Sequence, residues 1–170
     1  CVCIGDVSDK GVPASLFMAV TKTLIRANAS DDASTASIVT RINDALAEDN
    51  ESCMFVTLFL AICDLHTGVV RYTNAGHNPP FVKRASGEIE SLNAIHGPVA
   101  GAVEGLTYKQ SELLLKKDDL LFLYTDGVSE AMNAKDELFE EKHIGGKLKN
   151  LSGNEPEQSI QTVLAAVDEH

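Results

Sequence analysis

The sequence predicts an α+β fold, and three observations carry that prediction. Two helical patterns come first, a run of short strands joined by tight turns fills the middle, and two more helical patterns close the chain. Helices and strands are therefore segregated, not alternating as in βαβ units. No linker, repeat or low-complexity tract divides the 170 residues, so one domain over 1–170 is expected.

Each element has its own signal. Residues 1–5 read as a buried strand, ending beside Asp6. From Gly11 the apolar positions Val12, Leu16, Val20 and Leu24 step by four, with Phe17 and Ile25 beside them, which predicts a helix with a broad apolar face. Pro13 suits its first turn. The polar stretch Asn28–Thr35 breaks it, and Ile38, Ile42, Ala45 and Leu46 line one face of a second helix.

Met54–Cys63 is β-branched, aromatic and almost wholly apolar, the composition of a central strand. Residues 64–68 form a turn from which Val69–Thr73 returns as a hairpin partner. Phe81–Lys83 and Ile89–Leu92 make a second hairpin around 85–87. Tyr108–Leu115 and Leu120–Tyr124 read as a third, joined at 116–119. Helices are expected over 136–148 and 155–167.

Composition narrows the function. Net charge is −11, with 14 basic residues against 25 acidic. That argues against nucleic-acid binding, which relies on clustered Lys and Arg. No apolar run approaches the roughly 18 residues of a membrane span, so no membrane insertion is expected. Cys1, Cys3, Cys53 and Cys63 lack zinc-ligand spacing and read as reduced core thiols of a cytoplasmic protein. A cysteine-phosphatase loop, a nucleotide P-loop and a serine-hydrolase elbow are all absent from the sequence.

Two acids stand out. Asp6 follows an apolar strand, and Asp126 follows another in Leu120–Tyr124, each with a glycine next to it. Carboxylates delivered by neighbouring strand ends make a hard-oxygen site for Mg²⁺ or Mn²⁺. The same residues also serve well as turn formers. Gly5 and Gly127 allow close approach of backbone or ligand. The start of the first helix, at Gly11–Ala14, offers N–H groups to an anion or simply caps the helix. His77, in the rigid loop 74–80, reads as a hydrogen-bonded turn residue, with catalysis as the alternative. His66, His96, His143 and His170 show no partners at useful spacing.

Four blocks, in order, carry a resemblance: GDVSDKGVPASLFMA, MFVTLFLAICDLHTGVVRYTNAGHNPPFV, GPVAG and DDLLFLYTDGVSEAMN. They resemble the SpoIIE-like bacterial branch of the PPM (PP2C-type) serine/threonine phosphatases from residue 1 to about 150. The resemblance implies a PP2C-like α-β-β-α sandwich of two antiparallel sheets flanked by helices, with two divalent cations, Mn²⁺ or Mg²⁺, at one end. It implies Asp6 as the bridging ligand, the Val7 carbonyl as a second contact and Asp126 as a ligand of the other cation. The reaction implied is direct hydrolysis of phosphoserine or phosphothreonine by a metal-activated water. The implied substrate is a phosphorylated anti-anti-sigma (STAS-type) protein. Control is implied from an upstream sensor or receiver domain through the helices at 11–29 and 35–48, and a second copy of the chain is a candidate partner.

Departures from the family pattern matter too. Asp9 stands where family members usually carry Gly, and it adds a metal contact, alters the turn or faces solvent. Ser8 stands where eukaryotic relatives have His, so the proton donor to the leaving group is unassigned. The family's first and last acidic motifs fall outside the sequence, so an incomplete domain with poor activity of its own is expected. The competing expectations are a degenerate PPM domain that binds a regulator without catalysis and a haloacid-dehalogenase-type phosphatase. Val128 stands where the latter needs its second Asp.

Overall fold

The computed structural model describes residues 1–29, 33–48 and 50–170. In chain order the elements are β1 (Val2–Val7), α1 (Val12–Asn28), α2 (Thr35–Ala47), β2 (Val56–Cys63), β3 (Val69–Ala75), β4 (Phe81–Lys83), β5 (Ile89–Ser91), β6 (Ser111–Leu114), β7 (Leu120–Phe122), α3 (Asp126–Ser129), α4 (Glu141–Asn150) and α5 (Pro156–Asp168). The break expected over 28–35 lies partly outside the described residues. The elements form two compact units, Cys1–His77 with Ala94–Leu114, and Asn78–Asn93 with Leu115–His170. Each holds one antiparallel sheet with its own helices, the segregated α+β arrangement expected.

The first unit carries a four-stranded sheet in the order β1-β2-β3-β6. β2 is central, as its apolar run predicts, and pairs with β1 on one side and β3 on the other. Val56, Leu58 and Leu60 point from β2 to one face, where Ile38, Val39, Ile42 and Leu46 of α2 pack on them, with Phe17, Leu24 and Ile25 of α1 at the margin. The second unit carries β5-β4-β7, and Phe81, Phe122 and Tyr124 there form a core with Phe139, Ile144, Leu148 and Val163.

Six expectations need correction. The opening strand is not buried: β1 is an edge strand running to Val7, and its first residues are exposed. The thiols accordingly are not core groups, since Cys1, Cys3 and Cys53 are exposed and Cys63 is only half-buried. On α1 the four-step row does not face the core. A row of such steps winds about 40° per step around a helix of 3.6 residues per turn. Val12, Leu16 and Val20 are exposed, and the row reaches the core only at Leu24. Ala45, assigned to the apolar face of α2, is exposed as well, and Val39 takes its place.

The third expected hairpin does not form either. β6 pairs with β3 and β7 with β4, so the chain changes sheets between 115 and 119. Finally, the helix expected over 136–148 starts at Glu141. Asn133 accepts the N–H groups of Lys135 and Glu137 and holds a turn there, and Asp136 and Glu140 have positive φ, which an α-helix does not admit.

Candidate functional site

Asp6 is the next-to-last residue of β1 and lies half-buried. Side chains alternate along a strand. Val7 packs on the core beneath the helices, so Asp6 projects from the opposite face, directly across from Thr57 of β2. Gly5 is required for that pairing. A Cβ there would stand 2.7 Å from the Thr57 carbonyl oxygen, closer than any side chain tolerates.

The Val7 carbonyl is presented by the ladder itself. In an antiparallel pair, opposed residues alternate between exchanging main-chain bonds and pointing those groups away. Ser8 donates its N–H to the Phe55 carbonyl at 2.9 Å, whereas Val56 exchanges both of its bonds with Ala100, at 2.9 and 2.8 Å. Val7, opposite Val56, therefore turns its carbonyl away from β2, toward the open side of the edge strand.

Behind Asp6 runs a chain of polar contacts. Asp6 N–H donates to Thr57 Oγ1 at 3.2 Å, and the Thr57 hydroxyl lies 3.3 Å from the Asp6 carbonyl oxygen. Thr57 Oγ1 is also 2.9 Å from Nδ1 of His77, which is buried. Asn74 fixes the His77 main chain from both sides, accepting its N–H at 2.7 Å and donating to its carbonyl at 3.0 Å. The preceding Gly76 has φ of 70°, and a Cβ there would meet Val99 at 2.8 Å. The Asn74 N–H in turn donates to His96 Nδ1. His77 is thus the hydrogen-bonded loop residue expected of it, joined to the Asp6 strand. His96, expected to have no partner, has two, because Ser111 Oγ lies 2.9 Å from its Nε2.

Asp126 lies in the second unit, half-buried, as the first residue of α3. Its carbonyl accepts Glu130 N–H at 2.7 Å, and Val128 N–H returns to Thr125 O at 3.1 Å, so the turn after the strand is tightly closed. A carboxylate at that position is favoured by the helix N-terminal dipole. Gly127 is not demanded by space, since the nearest neighbour of a Cβ placed there would be Thr125 Oγ1 at 3.7 Å. Tyr124, two residues before Asp126, is buried, and burial pushes its phenol well above the usual range.

Other positions resolve simply. Asp9 is exposed with φ of 73° and accepts Lys10 N–H at 2.8 Å. Asp tolerates that left-handed conformation, which is the natural place for Gly. The side chain faces solvent and shapes the turn. Ser8 Oγ accepts the Phe55 N–H at 2.9 Å, which ties the strand end to β2. The α1 N-terminus has Gly11 as its cap with no side-chain bond.

Carboxylate and carbonyl oxygens are the donors that Mn²⁺ and Mg²⁺ prefer, so Asp6 and Val7 fit such a cation in kind. Among the described residues no three His, Cys, Asp or Glu side chains gather as a metal-binding group. The contributions that sequence reasoning missed are Thr57, Asn74 and His96. Thr57 carried a signal, being the one polar residue in the run Met54–Cys63.

The sequence model of the Stage II sporulation protein E (SpoIIE) family matches residues 1–170. The chain belongs to the SpoIIE family. Among relatives of this SpoIIE-family chain, protein IcfG of Synechocystis is 29% identical over 180 residues, which cover 90% of this chain and 28% of that protein. Phosphoserine phosphatase RsbU of Bacillus subtilis is 29% identical over 130 residues, covering 76% of this chain and 38% of that one. The chain thus spans between 28% and 38% of the length of these two relatives. The PP2C phosphatase domain of SpoIIE from Bacillus subtilis, solved with a fragment of its regulatory domain, superposes with a TM-score of 0.79 at 22% identity over 98% of this chain and 48% of that one. RsbX in complex with magnesium superposes at 0.68 with 21% identity, over 98% of this chain and 71% of that one. The fold is that of PP2C phosphatase domains. No helix among the described residues is long and apolar enough to cross a membrane.

Proposed function

We propose that this chain is the single catalytic domain, or the larger part of it, of a metal-dependent protein serine/threonine phosphatase. Asp6, the Val7 carbonyl and Asp126 are its cation ligands. The observation that carries this reading is the end of β1, where a half-buried carboxylate and an outward-turned carbonyl follow each other on an edge strand. Family membership supports it, as do the names of two relatives, the phosphoserine phosphatases RsbU and RsbP of Bacillus subtilis. RsbX solved with magnesium and SpoIIE soaked with manganese support Mg²⁺ or Mn²⁺ as the cation.

When bound, two such cations lower the pKa of a water and neutralise the phosphoryl oxygens. The chain's own residues do the positioning. β1 delivers Asp6 and Val7 in one fixed orientation, since Gly5 lets the strand lie tight on β2 and Ser8 pins its end. α3 holds Asp126 at its first residue. The substrate class we assign is a phosphorylated STAS-type anti-anti-sigma protein, as the resemblance to the SpoIIE-like branch implies, and the names of the phosphoserine phosphatases RsbU and RsbP support its phosphoserine group. The chain's acidic balance leaves phosphate recognition to the cations.

The test is phosphopeptide hydrolysis by the full-length protein with added Mn²⁺. Asp6→Ala should abolish turnover while the circular dichroism spectrum and melting curve stay those of the wild type. Retention of most of the wild-type rate rules out the assignment. Binding of a phosphoprotein without any turnover by the wild type favours a regulatory module instead.

A further inference from the structure

We propose that Thr57 is a positioning residue for Asp6, with His77 setting the direction of its hydroxyl. This rests on Asp6 being a cation ligand and adds what holds it in register. A threonine hydroxyl has one proton to donate and room to accept two. Three partners surround Thr57 Oγ1: the Asp6 N–H at 3.2 Å, the Asp6 carbonyl at 3.3 Å and His77 Nδ1 at 2.9 Å. Only one assignment satisfies all three. The hydroxyl donates to the Asp6 carbonyl and accepts from the Asp6 N–H and from a proton on His77 Nδ1. With the proton missing from Nδ1, the imidazole would take the hydroxyl proton and leave the Asp6 carbonyl without it.

The direction of that hydroxyl is built into the fold. His77 is 2% exposed and Asn74 is fully buried, and the Asn74 amide grips the His77 main chain at both ends. Thr57 is the residue directly opposite Asp6 across the ladder, so its side chain shares the Asp6 face. The Thr57 side chain therefore reaches both main-chain groups of Asp6, in addition to the ladder pairing of β1 with β2. An edge strand has partners on one side only, so this clamp limits rotation of the Asp6 backbone where β1 is least supported. A cation site loses affinity steeply when its ligands are misplaced, because outer partners orient the inner ones.

The experiment uses the full-length protein with Thr57→Val, Thr57→Ser and Asp6→Asn variants, read by Mn²⁺ titration calorimetry. Thr57→Val keeps the shape and removes the hydroxyl, and should weaken Mn²⁺ binding at least about tenfold, the range seen for lost outer partners of metal ligands. Thr57→Ser restores the hydroxyl and should bind within about threefold of the wild type, which a purely packing role of the methyl group does not predict. Wild-type affinity in Thr57→Val, with binding lost in Asp6→Asn, overturns the positioning role and leaves the phosphatase reading intact. Wild-type affinity in Asp6→Asn overturns both. Should Thr57→Val fail to fold, long-range ¹H–¹⁵N spectra of the wild-type chain decide. The proton should reside on His77 Nδ1, and a proton confined to Nε2 overturns the proposal.

Discussion

The main-chain N–H of Asn74 donates to Nδ1 of His96 at 2.9 Å, which leaves that nitrogen no place for a proton. The ring is therefore neutral with its proton on Nε2, facing Ser111 Oγ at 2.9 Å, and it meets Tyr72 in a T-shaped contact. Burial holds the His96 pKa below the ordinary value. An unfolded histidine takes up its proton near pH 6.5. Below that pH the unfolded chain gains a proton that the folded chain refuses, so the unfolded state is favoured progressively. Stability from this site is complete above about pH 6.5 and declines as pH falls toward the folded value. The urea midpoint should drop on moving from pH 7 to pH 5.5, and His96→Gln should flatten that dependence. Parallel pH profiles for the two proteins count against a neutral native His96.

Asp119 makes a second acid-sensitive point. Its side chain is 3% exposed, pairs with Arg84 at 2.9 Å and accepts the N–H groups of Ala85 at 2.9 Å and Lys116 at 3.0 Å. Burial alone would raise its pKa, but the Arg84 bond and the two main-chain donors together carry it below the ordinary carboxylate value. The stabilisation is thus present above about pH 4, the unfolded value, and is lost as pH falls through the lower folded one. Asp119→Ala should cost about 1 kcal/mol at neutral pH, because it removes the Arg84 pair and two main-chain bonds whose donors water can still reach. Urea unfolding measures this, and a loss below about 0.5 kcal/mol would mean water replaces the carboxylate freely.

How much of this was legible in the sequence depends on how far each partner lies along the chain. β2 was legible because a long apolar, β-branched run has few other uses. The 69–75 and 89–91 strands followed from tight local turns. The pairing of β6 and β7 was not legible. Both are short strands a few polar residues apart, as in a hairpin, yet their partners are β3 and β4, which lie well upstream in the chain. The site divides the same way. Asp6 and Asp126 stood out as acids after apolar strands, whereas His96 and His77 owe their roles to Asn74, Ser111 and Thr57. Those contacts appear only once the sheet has formed.

Gly5 gives a prediction that joins fold to site. Its place opposite Leu58 brings a Cβ to 2.7 Å from the Thr57 carbonyl and 3.4 Å from the side chains of Val56 and Leu58. The backbone oxygen cannot swing aside as a flexible side chain could. Gly5→Ala should cost about 1–3 kcal/mol, as overpacking in tight interiors does. It should also weaken Mn²⁺ binding, because β1 must move off β2 and carry Asp6 with it. Calorimetry and urea unfolding on the same protein check both. A variant as stable as the wild type would show that β1 adjusts without strain.

Asp126→Asn separates the two acids. The amide keeps the shape of the carboxylate and its place at the first residue of α3, so the fold of the second unit should not change. What is lost is one negative charge on an oxygen that we assign to a single cation. Hard cations are held by the summed charge of their oxygen ligands, so that cation should bind more weakly while the other keeps most of its affinity. The Mn²⁺ concentration for half-maximal turnover should rise by about tenfold or more, equivalent to about 1.4 kcal/mol, and excess Mn²⁺ should recover part of the rate. Asp6→Asn should differ in kind. Asp6, which we assign to the cation site as a whole, would not be replaced by raising the cation concentration, so the variant's turnover should stay low throughout the Mn²⁺ series. The measurement is phosphopeptide turnover against Mn²⁺ for the wild type and both variants, with melting curves to confirm the fold. An unchanged Mn²⁺ dependence in Asp126→Asn would remove Asp126 from the cation site.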